Sequence, residues 1–460
     1  MQQINRGQRI KLGDMVRGGN RFNIAVAASG PGLTLDFACF GLDAAGKLSD
    51  ERYMTFFNQP VSPCSGVAVT DGNLFAFDLD RIPASIDRLV LTAAIDGAGA
   101  MGKLDSGSLT LKESGQDVGR FSFAGADFQD ERALMLFEIY RKDGIWRVSA
   151  TAQGFNGGLD ALVRHFGGDV ADSSAPASPA ATVAAPTVKP AGPDLTKRIN
   201  LEKRIAQEAP QLVNLTKKAA ISLEKVGLGT HRAKACLILD ISGSMGWLYQ
   251  AGKIQAFAER IFALATRFDD DGDIDIFLFG TRVHKPAAMT LSNFTAYIRD
   301  VLRQHPLEGG TNYGRVIQAV REHYFPAGTP SGPAPFPVYA MFVTDGDTQD
   351  QDLTRRQILE ASRQGIFWQF MGIGRGRPAG IKKAKAKAGS GWFSRAAPSG
   401  PSSDFPFLEE LDDMPGRLID NADFFCVSSP DQHTDDELYD LLMGEYPEWL
   451  KQAKAKNLIA

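Results

Sequence analysis

The sequence predicts a chain of two folded units that differ in class, an all-β sandwich followed by a doubly wound α/β unit. Three observations carry this. Before residue 171 short β-type runs alternate with Gly, Asp, Asn and Pro turns; from 171 to 193 large apolar side chains almost vanish; beyond 194 apolar strands alternate with long helical patterns. Length agrees, because 460 residues exceed a single ordinary domain of about 150.

In the first unit (1–170) the predicted strands begin at Asn23, Leu33, Arg52, Leu74, Arg88, Ser108, Gly119 and Trp146, each bounded by turn formers. Short strands at that spacing make a sandwich. Residues 131–140 fit strand or helix equally, and 159–166 read as a short closing helix. The Pro/Ala stretch 171–193 cannot offset its ordering entropy, so an extended tether is expected there.

The second unit (194–460) opens with Asp194, a good N-cap, before an amphipathic segment that Pro210 divides. Strands are predicted at 234–239, 274–279, 338–344, 366–373 and 422–427. Helices are predicted at 246–268, 292–304, 313–324, 353–364 and 435–454. This alternation implies a mostly parallel, Rossmann-like sheet with helices on both faces, and ligands then collect at the carboxyl edge of its strands.

Bulk composition narrows the function. Hydrophobic residues at 43% and charged residues at 23% match a soluble globular protein. A net charge of −4 from 50 basic and 54 acidic residues gives no global pull toward nucleic acid, and no specific nucleic-acid partner is expected. Cys39, Cys64, Cys236 and Cys426 form no C-x-x-C pair and read as free thiols in a reducing compartment. Neither an apolar leader nor a membrane-length apolar run occurs, so a cytoplasmic location is expected.

Three polar clusters fall at the predicted carboxyl edge. The first strand runs into Asp240-Ile-Ser-Gly-Ser, a D-x-S-x-S pattern; the third ends in Thr344-Asp345-Gly; between them stands Glu308-Gly-Gly-Thr311. A small hard cation such as Mg²⁺ takes six oxygens near octahedral geometry. The hydroxyls of Ser242, Ser244 and Thr311 can supply neutral oxygens, while Asp240 and Asp345 supply charge directly or through a bound water. With most ligands neutral, such an ion keeps unneutralised charge and an open position for an acidic side chain. D-x-S-x-S alone reads equally well as helix capping; the other two clusters are what point to a metal.

Together these segments resemble the metal-ion-dependent adhesion site of the von Willebrand factor A family, matched by Asp240, Ser242, Ser244, Thr311 and Asp345 in order. The resemblance narrows. Ile221-Ser-Leu-Glu-Lys-Val, Asp420-Asn-Ala-Asp-Phe-Phe and the ending Glu445-Tyr-Pro-Glu-Trp-Leu look like the A domain of bacterial tellurium-resistance proteins, which is related to copines. Leu35-Asp-Phe-Ala-Cys-Phe, Pro83-Ala-Ser-Ile-Asp-Arg and Gln153-Gly-Phe-Asn-Gly-Gly look like a TerD-type stress domain. The resemblance is therefore to the TerF-like architecture.

It implies a non-catalytic scaffold in bacterial stress response. Mg²⁺ or Mn²⁺ would sit at the adhesion site, and the expected partners are a protein presenting an acidic side chain and other tellurium-resistance components. It also implies Ca²⁺ in the TerD-type domain, bound through dense acidic loops. This chain keeps few of those acids; Asp36, Asp71 and Asp96 remain, and a degenerate calcium site is expected. Two alternatives are a metal-dependent phosphoesterase, with Asp347 as the nearby extra acid, and a copine-like adaptor recruited to the inner membrane face. The second draws on an insertion at 375–403, where Arg375, Arg377, Lys382, Lys383 and Lys385 could bind an anionic surface. Gly97 to Lys103 fits G-x-x-x-x-G-K, but Leu104 replaces the Ser/Thr and a strand follows, so it reads as a glycine-rich turn.

Overall fold

The computed structural model describes residues 1–167, 195–269, 271–328, 332–375 and 403–460. The predicted tether at 171–193 lies outside them. The described residues form two compact units, one of 1–167 with 195–200 and one of 201–460.

The first unit opens with strands β1 (Gln2–Ile4), β2 (Arg9–Lys11), β3 (Arg21–Ser29), β4 (Thr34–Leu42), β5 (Met54–Thr55) and β6 (Val67–Thr70). It continues with β7 (Leu74–Asp78), β8 (Arg88–Asp96), β9 (Ser106–Glu113), β10 (Gln116–Phe123), β11 (Ala133–Lys142) and β12 (Ile145–Phe155), closed by helix α1 (Gly158–His165). They build two sheets, ordered β1-β10-β9-β3-β7-β6 and β2-β12-β11-β8-β4-β5. Ile24, Phe75 and Leu109 of one sheet share a core with Leu89, Leu91 and Leu136 of the other, which makes the sandwich.

The second sheet is covered on its other side too. Val90 and Ala94 of β8 pack with Leu162 and Val163 of α1, while Leu89 and Leu91 face the sandwich interior. That is why β8 reads apolar along its whole length. In β11 a register shift between Met135 and Phe137 puts Leu136 and Phe137 into the same core. The bulge cancels the period-two signal and explains why 131–140 looked ambiguous. Residues 52–57, expected as strand, instead give a 3-10 turn at Glu51–Tyr53 and only the two residues of β5, because Asp50 caps the turn through the Arg52 N–H at 3.1 Å.

From residue 195 the chain passes through α2 (Leu195–Glu208), whose residues from 201 on belong to the second unit, and α3 (Leu212–Lys225), the two separated at Pro210. It then gives β13 (Lys234–Asp240), α4 (Gly246–Gln250), α5 (Lys253–Phe268), β14 (Asp273–Phe279), β15 (Val283–His284), β16 (Met289–Thr290) and α6 (Tyr297–Gln304). Next come α7 (Tyr313–Tyr324), β17 (Val338–Thr344), α8 (Gln351–Ala361), β18 (Ile366–Ile373), α9 (Pro406–Asp412), β19 (Ala422–Val427), α10 (Asp435–Leu442) and α11 (Tyr446–Ala455). Two helices expected as continuous are each broken. Gly252, at φ +71°, turns the chain between α4 and α5, and α10 and α11 part at 443–445, with Pro447 in the first turn of α11.

The sheet runs β15-β14-β13-β17-β18-β19, with β14, β13, β17, β18 and β19 parallel and β15 and β16 antiparallel additions on β14. From β13 the chain crosses to β14 on one side and returns as β17 on the other. The carboxyl ends of β13 and β17 are therefore the topological switch point, where an α/β sheet leaves a crevice.

Candidate metal centre

Asp240 is the last residue of β13, and Asp345 follows the last residue of β17. Between Asp240 and α4 the chain makes a 3-10 turn, Gly243–Met245, which carries Ser244 beside Ser242. The Ser242 and Ser244 hydroxyls lie 3.0 Å apart, and Ser244 Oγ donates to Asp345 Oδ1 at 2.8 Å. Asp240 Oδ1 accepts from the Ser242 N–H at 2.7 Å, and its Oδ2 accepts from Thr344 Oγ1 at 2.6 Å. Four of the five predicted residues are thus joined by direct hydrogen bonds. Thr311 is buried and, among the described residues, makes no hydrogen bond to these four; its backbone is fixed against the loop after β17, its carbonyl accepting from the Gln349 N–H at 2.9 Å and from Thr348 Oγ1 at 3.2 Å.

This donor set fits a hard divalent ion. It offers only oxygen, and adjacent ligands of an octahedral ion at Mg²⁺ distances stand roughly 2.9 Å apart. The Ser242–Ser244 and Ser244–Asp345 spacings of 3.0 and 2.8 Å match such an edge. Both Asp240 oxygens are already engaged by the Ser242 N–H and Thr344 Oγ1, whereas Asp345 Oδ1 and the Ser242 and Ser244 hydroxyls stand at the spacing of an ion's ligand edge. Burial pushes the Asp240 carboxyl up to about 6 against the hydrogen bonds from Thr344 and Ser242 that hold it down. Burial also raises Asp345, opposed by Ser244. Two carboxyls charged only at a cost are what an added cation would relieve.

A supporting layer escaped the sequence reading. Tyr313 OH donates to Thr344 Oγ1 at 3.0 Å, and Tyr249 OH donates to the Asp240 carbonyl at 2.7 Å. Glu308 pairs its backbone with Ser242 and gathers Thr281 Oγ1, the Arg282 N–H and guanidinium, and His284 Nε2 at 2.8–3.0 Å. Burial would raise the Glu308 carboxyl, but these donors pull it down to about 2. Glu308, three residues before Thr311, was visible as an acid beside the motif; its partners become apparent only once β15 is folded beside it.

The other predicted residues do not converge in this way. Asp36 stands opposite Ala94 and Asp96 opposite Thr34, so the two acids are diagonal neighbours on one face of the β4–β8 pair. Asp71 sits at φ +53° in the β6–β7 turn of the other sheet. Among the described residues the one group of three acids, imidazoles or thiols with ligand atoms within 4.8 Å is Asp412, Asp423 and Glu445. Asp423 lies at the start of β19, the opposite end of the strands from Asp240, and accepts from Gln369 Nε2 at 3.0 Å. Three acids so far apart in sequence carry no local motif. Arg375 pairs with Asp404, its N–H donating to Oδ2 at 2.8 Å; Arg377, Lys382, Lys383 and Lys385 lie outside the described residues. Gly97 to Lys103 leads into β9, with no helix after it. Among the described residues no helix is long and apolar enough to cross a membrane.

Comparison with known proteins agrees with this division. Residues 1–166 match the model of the TerD domain, and residues 232–383 and 399–459 match the model described as the vWA found in the TerF C terminus. The chain is 33% identical over 252 residues to the uncharacterized protein YcbR of Bacillus subtilis (strain 168), spanning 54% of this chain and 90% of that one. It is 27% identical over 205 residues to the tellurium resistance protein TerA of an Alcaligenes species, 44% of this chain and 55% of that protein. A crystal structure of a TerD homologue from Streptomyces coelicolor A3(2) covers 30% of this chain and 92% of its own, with 17% identity and a TM-score of 0.26. The chain belongs to the tellurium-resistance family in which an N-terminal TerD domain is joined to a C-terminal von Willebrand factor A domain of the TerF type.

Proposed function

We propose that the second unit is a metal-dependent binding module in a stress response of the tellurium-resistance type, capturing a carboxylate of a protein partner through Mg²⁺ or Mn²⁺. Ser242, Ser244, Thr311 and Asp345 hold the ion, and Asp240 orients its water. The observation that carries this is the run of oxygens from Ser242 through Ser244 to Asp345 at the spacing of an ion's coordination edge. One directly placed carboxylate leaves the ion cationic, and an acidic side chain is the natural further ligand. Other tellurium-resistance components are the partners this reading favours.

The site is read as binding rather than catalytic. Asp347, the acid next in line to serve as a general base, turns its carboxylate to its own loop, accepting from the Thr348 N–H at 2.8 Å and from Gln351 Nε2 at 3.2 Å. The test is calorimetric titration with Mn²⁺ together with partner retention on the immobilised chain. EDTA and Asp345→Ala should each abolish retention, and the variant should lose about 100-fold in Mn²⁺ affinity with its circular dichroism unchanged. Retention that survives both would refute the reading, and metal-dependent phosphoester turnover would replace it with the hydrolytic one.

A further inference from the structure

The metal centre opens beside two apolar side chains that the fold leaves uncovered. Trp247, on α4 three residues after Ser244, is 53% exposed, and Leu307, one residue before Glu308, is 38% exposed. They belong to one rim. The backbone pairing of Ser242 with Glu308 draws the two segments together, and Leu307 reaches so close to Gly246 that a methyl group there would lie 3.2 Å from its Cδ1. Trp247 is also the one tryptophan among the described residues left exposed; Trp368 and Trp449 are fully buried.

The indole is braced rather than loose. Lys253 Nζ stands 5.7 Å from its ring centroid and is itself held by Ser429 Oγ at 2.8 Å and Asp431 Oδ1 at 2.9 Å. A pre-ordered aromatic beside a charged anchor loses little entropy on contact, the arrangement that makes tryptophan an interface hot spot. Charge decides what fits. An ion whose only directly placed carboxylate is Asp345 attracts an anion, and the rim next to it offers an indole and an isobutyl group.

We propose that Trp247 and Leu307 set the specificity of the metal centre, selecting a partner segment in which the ion-binding Glu or Asp is adjacent to a large apolar side chain. This rests on the metal-dependent reading above, and the two can be told apart. The full chain is loaded with Mn²⁺, whose binding is followed alone by water-proton relaxation. It is then applied to an array of immobilised Gly/Ser peptides, each with one Glu and one variable neighbour.

Peptides with Leu, Ile or Phe beside Glu should be retained at least about fivefold better than those with Gly or Ser, and EDTA should remove them. Trp247→Ser and Leu307→Ser should each bring that preference below about twofold while Mn²⁺ affinity stays within about twofold of the parent. Should Mn²⁺ bind while the parent retains Gly- and Ser-flanked peptides equally well, the rim's role is refuted and the metal centre stands. The same holds if the preference persists when both residues are changed. Should Mn²⁺ fail to bind, both readings fall.

Discussion

The sandwich and the α/β unit each contain acids that invite a metal, and the fold treats them differently. In the second unit the carboxyl ends of β13 and β17 meet at the switch point, so residues more than a hundred positions apart become hydrogen-bonded neighbours. In the first, Asp36 and Asp96 sit along antiparallel strands and Asp71 in a turn of the opposite sheet. A parallel sheet gathers the loops after its strands along one edge, whereas an antiparallel sandwich splits its turns between two ends. Topology, more than the number of acids, decides where oxygens converge.

The sharpest way to break this contrast is to remove one hidden donor from each unit. Thr344→Val deletes the hydroxyl that holds Asp240 Oδ2 and should lower Mn²⁺ affinity about 10- to 100-fold, read by calorimetric titration. Thr92→Val deletes a comparably buried hydroxyl in β8, bonded to the Ala38 carbonyl at 3.2 Å. It should cost about 1 kcal/mol in denaturant unfolding and leave metal affinity unchanged. Equal effects of both changes on the metal would mean that the two units are not independent in this respect.

The strands and loops that bring Asp240, Ser242, Ser244 and Asp345 together were legible because each cluster ends an apolar strand or begins a helix, positions a doubly wound sheet converts into one crevice. The layer behind them was not. Thr344 as donor to Asp240, Tyr313 behind Thr344, and Glu308 gathering Arg282 and His284 are long-range pairings, and no local pattern encodes a partner. Strands were read well where one face is wet, as in β10, and also where both faces are buried between turn signals, as in β17 and β18, but ambiguously where a bulge breaks the alternation, as in β11. The short edge strands β1, β2 and β6 went unseen, since three or four residues hold too little periodicity to detect. Gly252 was the missed sign that the helix predicted at 246–268 breaks, because its left-handed conformation is what the turn requires.

Acidity sharpens the contrast through Asp240. Its ordinary value is 3.8, and burial lifts it to about 6 in the folded chain. Between those values the native state holds a proton that the unfolded chain has released. Asp240 therefore contributes to the ion-free second unit a stability that is fully present below about 3.8 and is lost as pH rises through about 6. A divalent ion needs the carboxylate form, so its apparent affinity should fall about tenfold from pH 7 to pH 5. Hydrogen exchange can assign the effect to a region. Mg²⁺ should protect amides around Asp240 and Asp345 strongly at pH 7 and weakly at pH 5, with the sandwich unchanged at both. Protection that does not vary with pH would mean that Asp240 takes no part in holding the ion.

The smallest expected effect belongs to the sandwich. Ca²⁺ requires six to eight oxygens at roughly 2.3–2.6 Å. Diagonal neighbours on adjacent strands such as Asp36 and Asp96 stand about 7–8 Å apart at their backbones, and Asp71 projects from the turn of the other sheet. Millimolar Ca²⁺ should shift the melting temperature of this unit by less than about 1 °C, because a ligand far below its dissociation constant adds almost no stability. The double change Asp36→Asn with Asp96→Asn should leave that small shift as it is. A rise of several degrees that this double change removes would mean that strand-borne acids can build a calcium site with help from backbone carbonyls, and topology would then no longer separate the two units.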